Sequence, residues 1–85
     1  MHYVYVLRSG KDNKLYVGYT ENLDRRMMEH QTGKVKSTHH RLPLTLIYYE
    51  AYLVEADARG REKFPKSGSG HMFINKQLRN YFNLK

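Results

Sequence analysis

Apolar and polar positions alternate from His2 to Leu7 and again from Leu15 to Tyr19, the period-two signature of strands. The polar cluster Lys11-Asp12-Asn13-Lys14 between them predicts the turn of a hairpin. From Glu21 the period lengthens: Leu23, Met27 and His30 or Gln31 fall on one face, which predicts a helix of about ten residues, with Thr20 or Asn22 as its cap and Gly33 as its stop. Lys34 to Arg41 is polar, basic and without period, so it reads as a loop ending before Pro43. Leu44 to Tyr49, rich in aromatic and apolar residues, predicts a third strand.

Val54 to Phe64 has the composition of a helix. Pro65 is expected to bend or end it, because its ring would clash with the carbonyl of Arg61, and Gly60 is a further cost. Lys66 to Gly70 reads as a flexible turn, too short for a domain linker. His71 to Asn83 then forms a last helix, with Ile74, Leu78, Tyr81 and Phe82 on one side. The order strand, strand, helix, strand, helix, helix predicts an α+β fold: a small three-stranded, mainly antiparallel sheet flanked by helices. At 85 residues the chain makes a single domain, residues 1–85.

The absence of cysteine excludes a disulfide framework, a thiolate zinc site and a cysteine nucleophile. The first ten residues carry His2 and Arg8 around a short apolar run without a small-residue cleavage site, and no run of about 18 apolar residues follows. A soluble cytoplasmic protein with no membrane contact is therefore expected. Fifteen Lys and Arg against eight Asp and Glu give a net charge of +7, the footprint of a phosphate-rich partner, though such a charge also serves solubility alone. The cations are not gathered on one strongly amphipathic helix, as a membrane-surface anchor requires.

The tripeptides Tyr3-Val4-Tyr5 and Tyr16-Val17-Gly18, followed by YTENLDRRMMEH (Tyr19 to His30) and ADARGREKFPKSGSG (Ala56 to Gly70), resemble the GIY-YIG nuclease superfamily, in particular its small stand-alone members. The resemblance covers nearly the whole chain. It implies that Tyr5 and Tyr16 sit side by side on the hairpin, that Arg26 points at the same site, and that Glu62 holds one divalent cation, Mg2+ or Mn2+. Tyr3 stands where the family name puts glycine, and Pro65 stands where the family prefers an ordinary helix former. Many members carry a late asparagine; Asn75 and Asn80 sit in no local pattern that aligns, so neither is assigned that role.

The residue chemistry is compatible with those roles. Tyr3 and Tyr5 share one face of a strand, as do Tyr16 and Gly18. A phenol of ordinary pKa, about 10, is a poor base at neutral pH and needs help from a cation or a water network. Tyr5 is the expected acceptor of a proton from the attacking water and Tyr16 the group that orients it, an order that can be reversed. Arg26 can bind phosphate oxygens and stabilise charge building at phosphorus. His30, four residues on, shares its helical face and can orient a phosphate or shuttle a proton. A lone carboxylate such as Glu62 suits magnesium, which keeps several waters; the scattered acids favour one metal over two. The plain alternatives are packing for the tyrosines, a solvated face for Arg26 and His30, and a surface ion pair of Glu62 with Arg59 or Lys66. Gly18 is expected to permit close approach of backbone or helix behind the site.

Lys34, Lys36, His39, His40 and Arg41 form a basic loop suited to gripping nucleic-acid phosphates, and Lys66 is a further candidate. The adjacent histidines are poor metal ligands because neighbouring side chains diverge. The Lys66 to Gly70 turn lacks the full phosphate-loop signature, which argues against nucleotide hydrolysis. The expected function is a metal-dependent endonuclease that hydrolyses DNA by in-line attack of water, leaving by family analogy a 5'-phosphate and a 3'-hydroxyl, with repair or recombination as settings. RNA stays open as a substrate. With only the nuclease core present, substrate choice is expected to come from the basic surface, a homodimer or an accessory protein. The rival is a binding module of the same fold that does not cut, with exposed tyrosines stacking on bases.

Overall fold

Val4, Tyr5, Val6 and Leu7 are four consecutive buried residues, so the strand that carries them, β1 (His2–Ser9), must be covered on both faces and paired on both edges. In the computed structural model, which describes residues 1–64 and 66–84, it is the central strand. β2 (Leu15–Thr20) and β3 (Leu44–Tyr52) flank it, both antiparallel, in the order β2-β1-β3. The hairpin turn between β1 and β2 is built around Ser9, whose Oγ accepts from the Lys11 and Asp12 amides and donates to the Arg41 carbonyl at 2.7 Å. Asn13 completes the turn at φ +61°, a conformation asparagine tolerates better than most residues.

The pleat sorts the core into two clusters. Val4, Val6 and Val17 face one side, against Ala58 of α2 (Glu55–Glu62) and Ile74 of α3 (Gly68–Gln77). Tyr5, Leu7 and Leu44 face the other, where Leu23 and Met27 of α1 (Leu23–Gln31) close over them. A carboxylate ties α2 to the sheet: Glu50 of β3 accepts from Arg61 Nε at 2.8 Å and Nη2 at 3.1 Å, and from the hydroxyls of Tyr48 and Tyr52. Burial raises the Glu50 pKa, but these donors outweigh it and hold the carboxyl below its usual range.

The expected α+β order is observed, with shifted boundaries. β3 runs on to Tyr52, and Asn22 rather than Thr20 caps α1 through its side chain on the Arg25 amide. Ser67 caps α3, its Oγ accepting from the Gly70 amide at 3.0 Å, so Gly68 to Gly70 are helical and not part of a turn. The last helix is broken at Leu78 and resumes as α4 (Arg79–Phe82). The expected bend at Pro65 lies outside the described residues; α2 ends at Glu62. Among the described residues no helix is long and apolar enough to cross a membrane.

Candidate active site

The register places Gly18 directly opposite Tyr5 and Tyr16 opposite Leu7, which puts both phenols on the α1 face in diagonal positions. The Tyr5 ring leans across β2 over Gly18: a Cβ on Gly18 would collide with the Tyr5 hydroxyl and Cζ. Glycine is required here by the aromatic ring, and not by an approaching helix or backbone as the sequence suggested. Tyr5 is fully buried.

α1 supplies the partners of that buried hydroxyl. Arg26 and His30, one turn apart, point down onto it. His30 Nε2 lies 2.9 Å from Tyr5 Oη, and Arg26 Nε donates to the same oxygen at 3.4 Å. Arg26 Nη1 is held by Glu29 at 3.2 Å. Behind the imidazole, His30 Nδ1 lies 2.7 Å from Thr38 Oγ1. His30 and Thr38 are both 0% exposed, so a buried line runs Arg26, Tyr5, His30, Thr38. Tyr16 lies over it half-buried, its ring centroid 5.4 Å from that of His30 and 6.3 Å from that of Tyr5, and its hydroxyl accepts from Ser37 Oγ at 3.4 Å.

Burial raises the Tyr5 pKa above 10; the hydrogen bond from Arg26 opposes this, and the charges of Tyr16 and Glu62 reinforce it. Tyr5 is therefore a protonated phenol at neutral pH. Burial and the neighbouring Arg26 cation lower the His30 pKa from 6.5, so this imidazole is neutral.

Four of the five expected catalytic residues thus meet. The fifth, Glu62, is the last residue of α2, the helix whose Ala58 packs in the other core cluster, and it makes no hydrogen bond among the described residues to Tyr5, Tyr16 or Arg26. Its charge nevertheless acts on Tyr5, and its partner is Lys66 at 3.3 Å. Lys66 is thereby an ion-pair partner of the proposed metal ligand. Of the basic loop, Lys34, Lys36, His39 and His40 are exposed, whereas Arg41 is half-buried and paired with Asp12 at 3.3 Å. Arg41 therefore braces the hairpin turn and is not presented with the rest of the loop. A separate group, His2, Glu21 and Glu55, brings ligand atoms within 4.8 Å of one another, but it excludes Glu62, and Glu55 is engaged by Arg59 at 2.7 Å. The sequence reading missed Thr38 and Glu29. Thr38 sits in an aperiodic loop and carries no local signal; Glu29 was legible as a partner three residues from Arg26.

A family model described as the GIY-YIG catalytic domain matches residues 1–76. A UPF0213 protein of Staphylococcus haemolyticus is 44% identical over 62 residues, covering 72% of this chain and 74% of that protein. A UPF0213 protein of Natronomonas pharaonis is 45% identical over 67 residues, 78% of each chain. Among solved structures, the solution NMR structure of a UPF0213 protein from Bacillus halodurans is 34% identical with a TM-score of 0.57, covering 89% of this chain and 83% of that one.

Proposed function

This chain belongs to the GIY-YIG family, a superfamily of nuclease catalytic domains, and from that premise we propose that it is a divalent-metal-dependent endonuclease acting on DNA phosphodiester bonds. The observation that supports this best is the convergence of Arg26 and His30 on the Tyr5 hydroxyl with Tyr16 packed over them.

Glu62 fits a single hard cation. Its carboxylate is 24% exposed and its partner Lys66 54% exposed, so a cation carrying several waters can replace the lysine without disturbing the core. When bound, Mg2+ or Mn2+ would neutralise charge on the substrate phosphate. Arg26 spends Nε on Tyr5 and Nη1 on Glu29, which leaves Nη2 to bind a phosphate oxygen and stabilise the charge that builds there. Tyr5, buried with a raised pKa, keeps its proton. Tyr16, whose hydroxyl lies at the surface beside Ser37, meets the attacking water and takes its proton as its own phenolic proton passes to solvent, the reverse of the order first expected for the two phenols. Lys34, Lys36, His39 and His40 hold the flanking phosphates.

The test is cleavage of end-labelled single-stranded, duplex, flap and branched DNA with Mg2+ or Mn2+, with binding measured in parallel, for the wild type, Glu62→Ala and Tyr16→Phe. Metal-dependent products lost in both variants, with binding retained, are expected. A wild type that binds each substrate and cuts none would overturn the enzyme reading in favour of a binding module.

A further inference from the structure

The loop from Lys34 to Arg41 faces solvent with Lys34 and Lys36, yet it sends one small polar side chain into the interior. Thr38 is held there by its own turn: its amide donates to the Val35 carbonyl at 3.1 Å, and Val35 is itself buried. Its hydroxyl has one partner among the described residues, His30 Nδ1 at 2.7 Å. A buried polar side chain with a single partner, which is itself in the proposed site, calls for more than a packing explanation.

Hydrogen-bond accounting along the line decides what that pairing does. Arg26 Nε can only donate, so one acceptor position on the Tyr5 oxygen is taken. Neutral His30 carries one proton, on Nδ1 or on Nε2. With the proton on Nδ1, Tyr5 donates to Nε2, and the Thr38 hydroxyl proton is left with no acceptor in a closed pocket behind the ring. With the proton on Nε2, Thr38 donates to Nδ1, and His30 and Arg26 both donate to the Tyr5 oxygen. The proton left over is then that of Tyr5, which is itself buried but covered by the partly exposed side chains of Arg26 and Tyr16, whose movement can open it to water or substrate, whereas Thr38 is shut in by its own turn on the buried Val35. An unspent proton costs least where water or substrate can accept it.

We propose that Thr38 is a positioning residue: its hydroxyl donates to His30 Nδ1 and holds the imidazole in the Nε2–H tautomer, so that His30 and Arg26 occupy the Tyr5 oxygen as donors and turn the Tyr5 O–H toward the substrate. This rests on the nuclease reading of the same site and adds a direction to it. Tyr5 serves as an aimed hydrogen-bond donor to the reacting phosphate or its water, and the basic loop sets that aim through Thr38.

The experiment is nitrogen-15 NMR of the His30 imidazole in the full chain, for the wild type, Thr38→Val and Thr38→Ser, with cleavage kinetics on the same samples. Long-range couplings from the ring hydrogens report which nitrogen is protonated without any need for activity. The wild type and Thr38→Ser are expected to carry the proton on Nε2, and Thr38→Val to show mixed tautomers with the backbone spectrum of the folded protein preserved. In kinetics, Thr38→Val lowers kcat by about 10- to 100-fold with KM little changed, the scale for removing one proton-positioning hydrogen bond, Thr38→Ser restores it, and Thr38→Val adds no further loss in a His30→Ala background. A wild-type His30 protonated on Nδ1, or a Thr38→Val spectrum unchanged from wild type, would overturn the proposal. If the chain cuts no substrate, the nuclease reading fails while the tautomer measurement still decides the role of Thr38.

Discussion

Tyr5 and Gly18 share one space across the first two strands: the ring of one fills the volume that a side chain on the other would need. A methyl group at position 18 meets the rigid end of a buried aromatic ring. Gly18→Ala is therefore expected to cost about 1–3 kcal/mol, the range for overpacking a filled core. It should also push the Tyr5 hydroxyl off His30. A lowered thermal midpoint together with reduced cleavage checks this; a variant as stable as the wild type would show that the ring can step aside.

His30 gives the fold a pH dependence of defined sign. Its pKa is lowered in the folded state by burial and by the Arg26 cation, with Glu29 opposing, so below the unfolded value of about 6.5 the unfolded chain binds more protons than the native one. The stability that His30 contributes is present above that value and is lost as pH falls through it toward the folded pKa. Urea midpoints of the wild type should drop between about pH 7.5 and about pH 5.5 more than those of His30→Gln. Equal slopes for the two proteins would contradict the burial of a neutral imidazole.

Glu50 anchors α2 through a two-pronged pair with Arg61, the residue next to Glu62. Glu50→Ala leaves a half-buried guanidinium and the hydroxyls of Tyr48 and Tyr52 without their acceptor. The expected loss is about 2–3 kcal/mol, less than for a fully buried pair because the site is partly solvated. Chemical denaturation measures it. The variant should also need more Mg2+ for half-maximal cleavage, since the helix that carries Glu62 loses its tether; an unchanged metal requirement would separate the two residues.

Lys34 and Lys36 are exposed, and among the described residues neither side chain hydrogen-bonds or ion-pairs with Arg26, Tyr5, His30 or Thr38. Replacing both with alanine should weaken DNA binding and lower the slope of log K against log salt by about 0.9 for each phosphate no longer neutralised. The maximal cleavage rate should stay near that of the wild type. A binding curve unaffected by the substitutions would move the DNA path away from this loop.

Strands and helices were legible in the sequence because their periods are set by local geometry: alternation in Tyr3 to Leu7, and the turn-by-turn recurrence of Leu23 and Met27. The central place of β1 shows in its four consecutive buried residues, but alternation along one strand cannot say which strand has two neighbours. Tyr5, Tyr16, Arg26 and His30 could be picked out through their spacing and their likeness to a family. Thr38 could not, because its role depends on a loop folding back over α1, and Glu50 could not, because its three donors arrive from both β3 and α2. The break at Leu78 has no proline or glycine to announce it.

Tyr5 is at once the largest fully buried side chain among the described residues and a member of the candidate reaction centre. A protein of this fold that cut no nucleic acid would still need that ring to fill its interior, and would still need glycine at position 18 to make room for it. The tyrosine signature that marks the superfamily is thus also a signature of its architecture, and its survival in a relative is weak testimony to chemistry. The informative positions for telling working enzymes from retired ones are those the scaffold can spare: the partly exposed Arg26 and the carboxylate of Glu62.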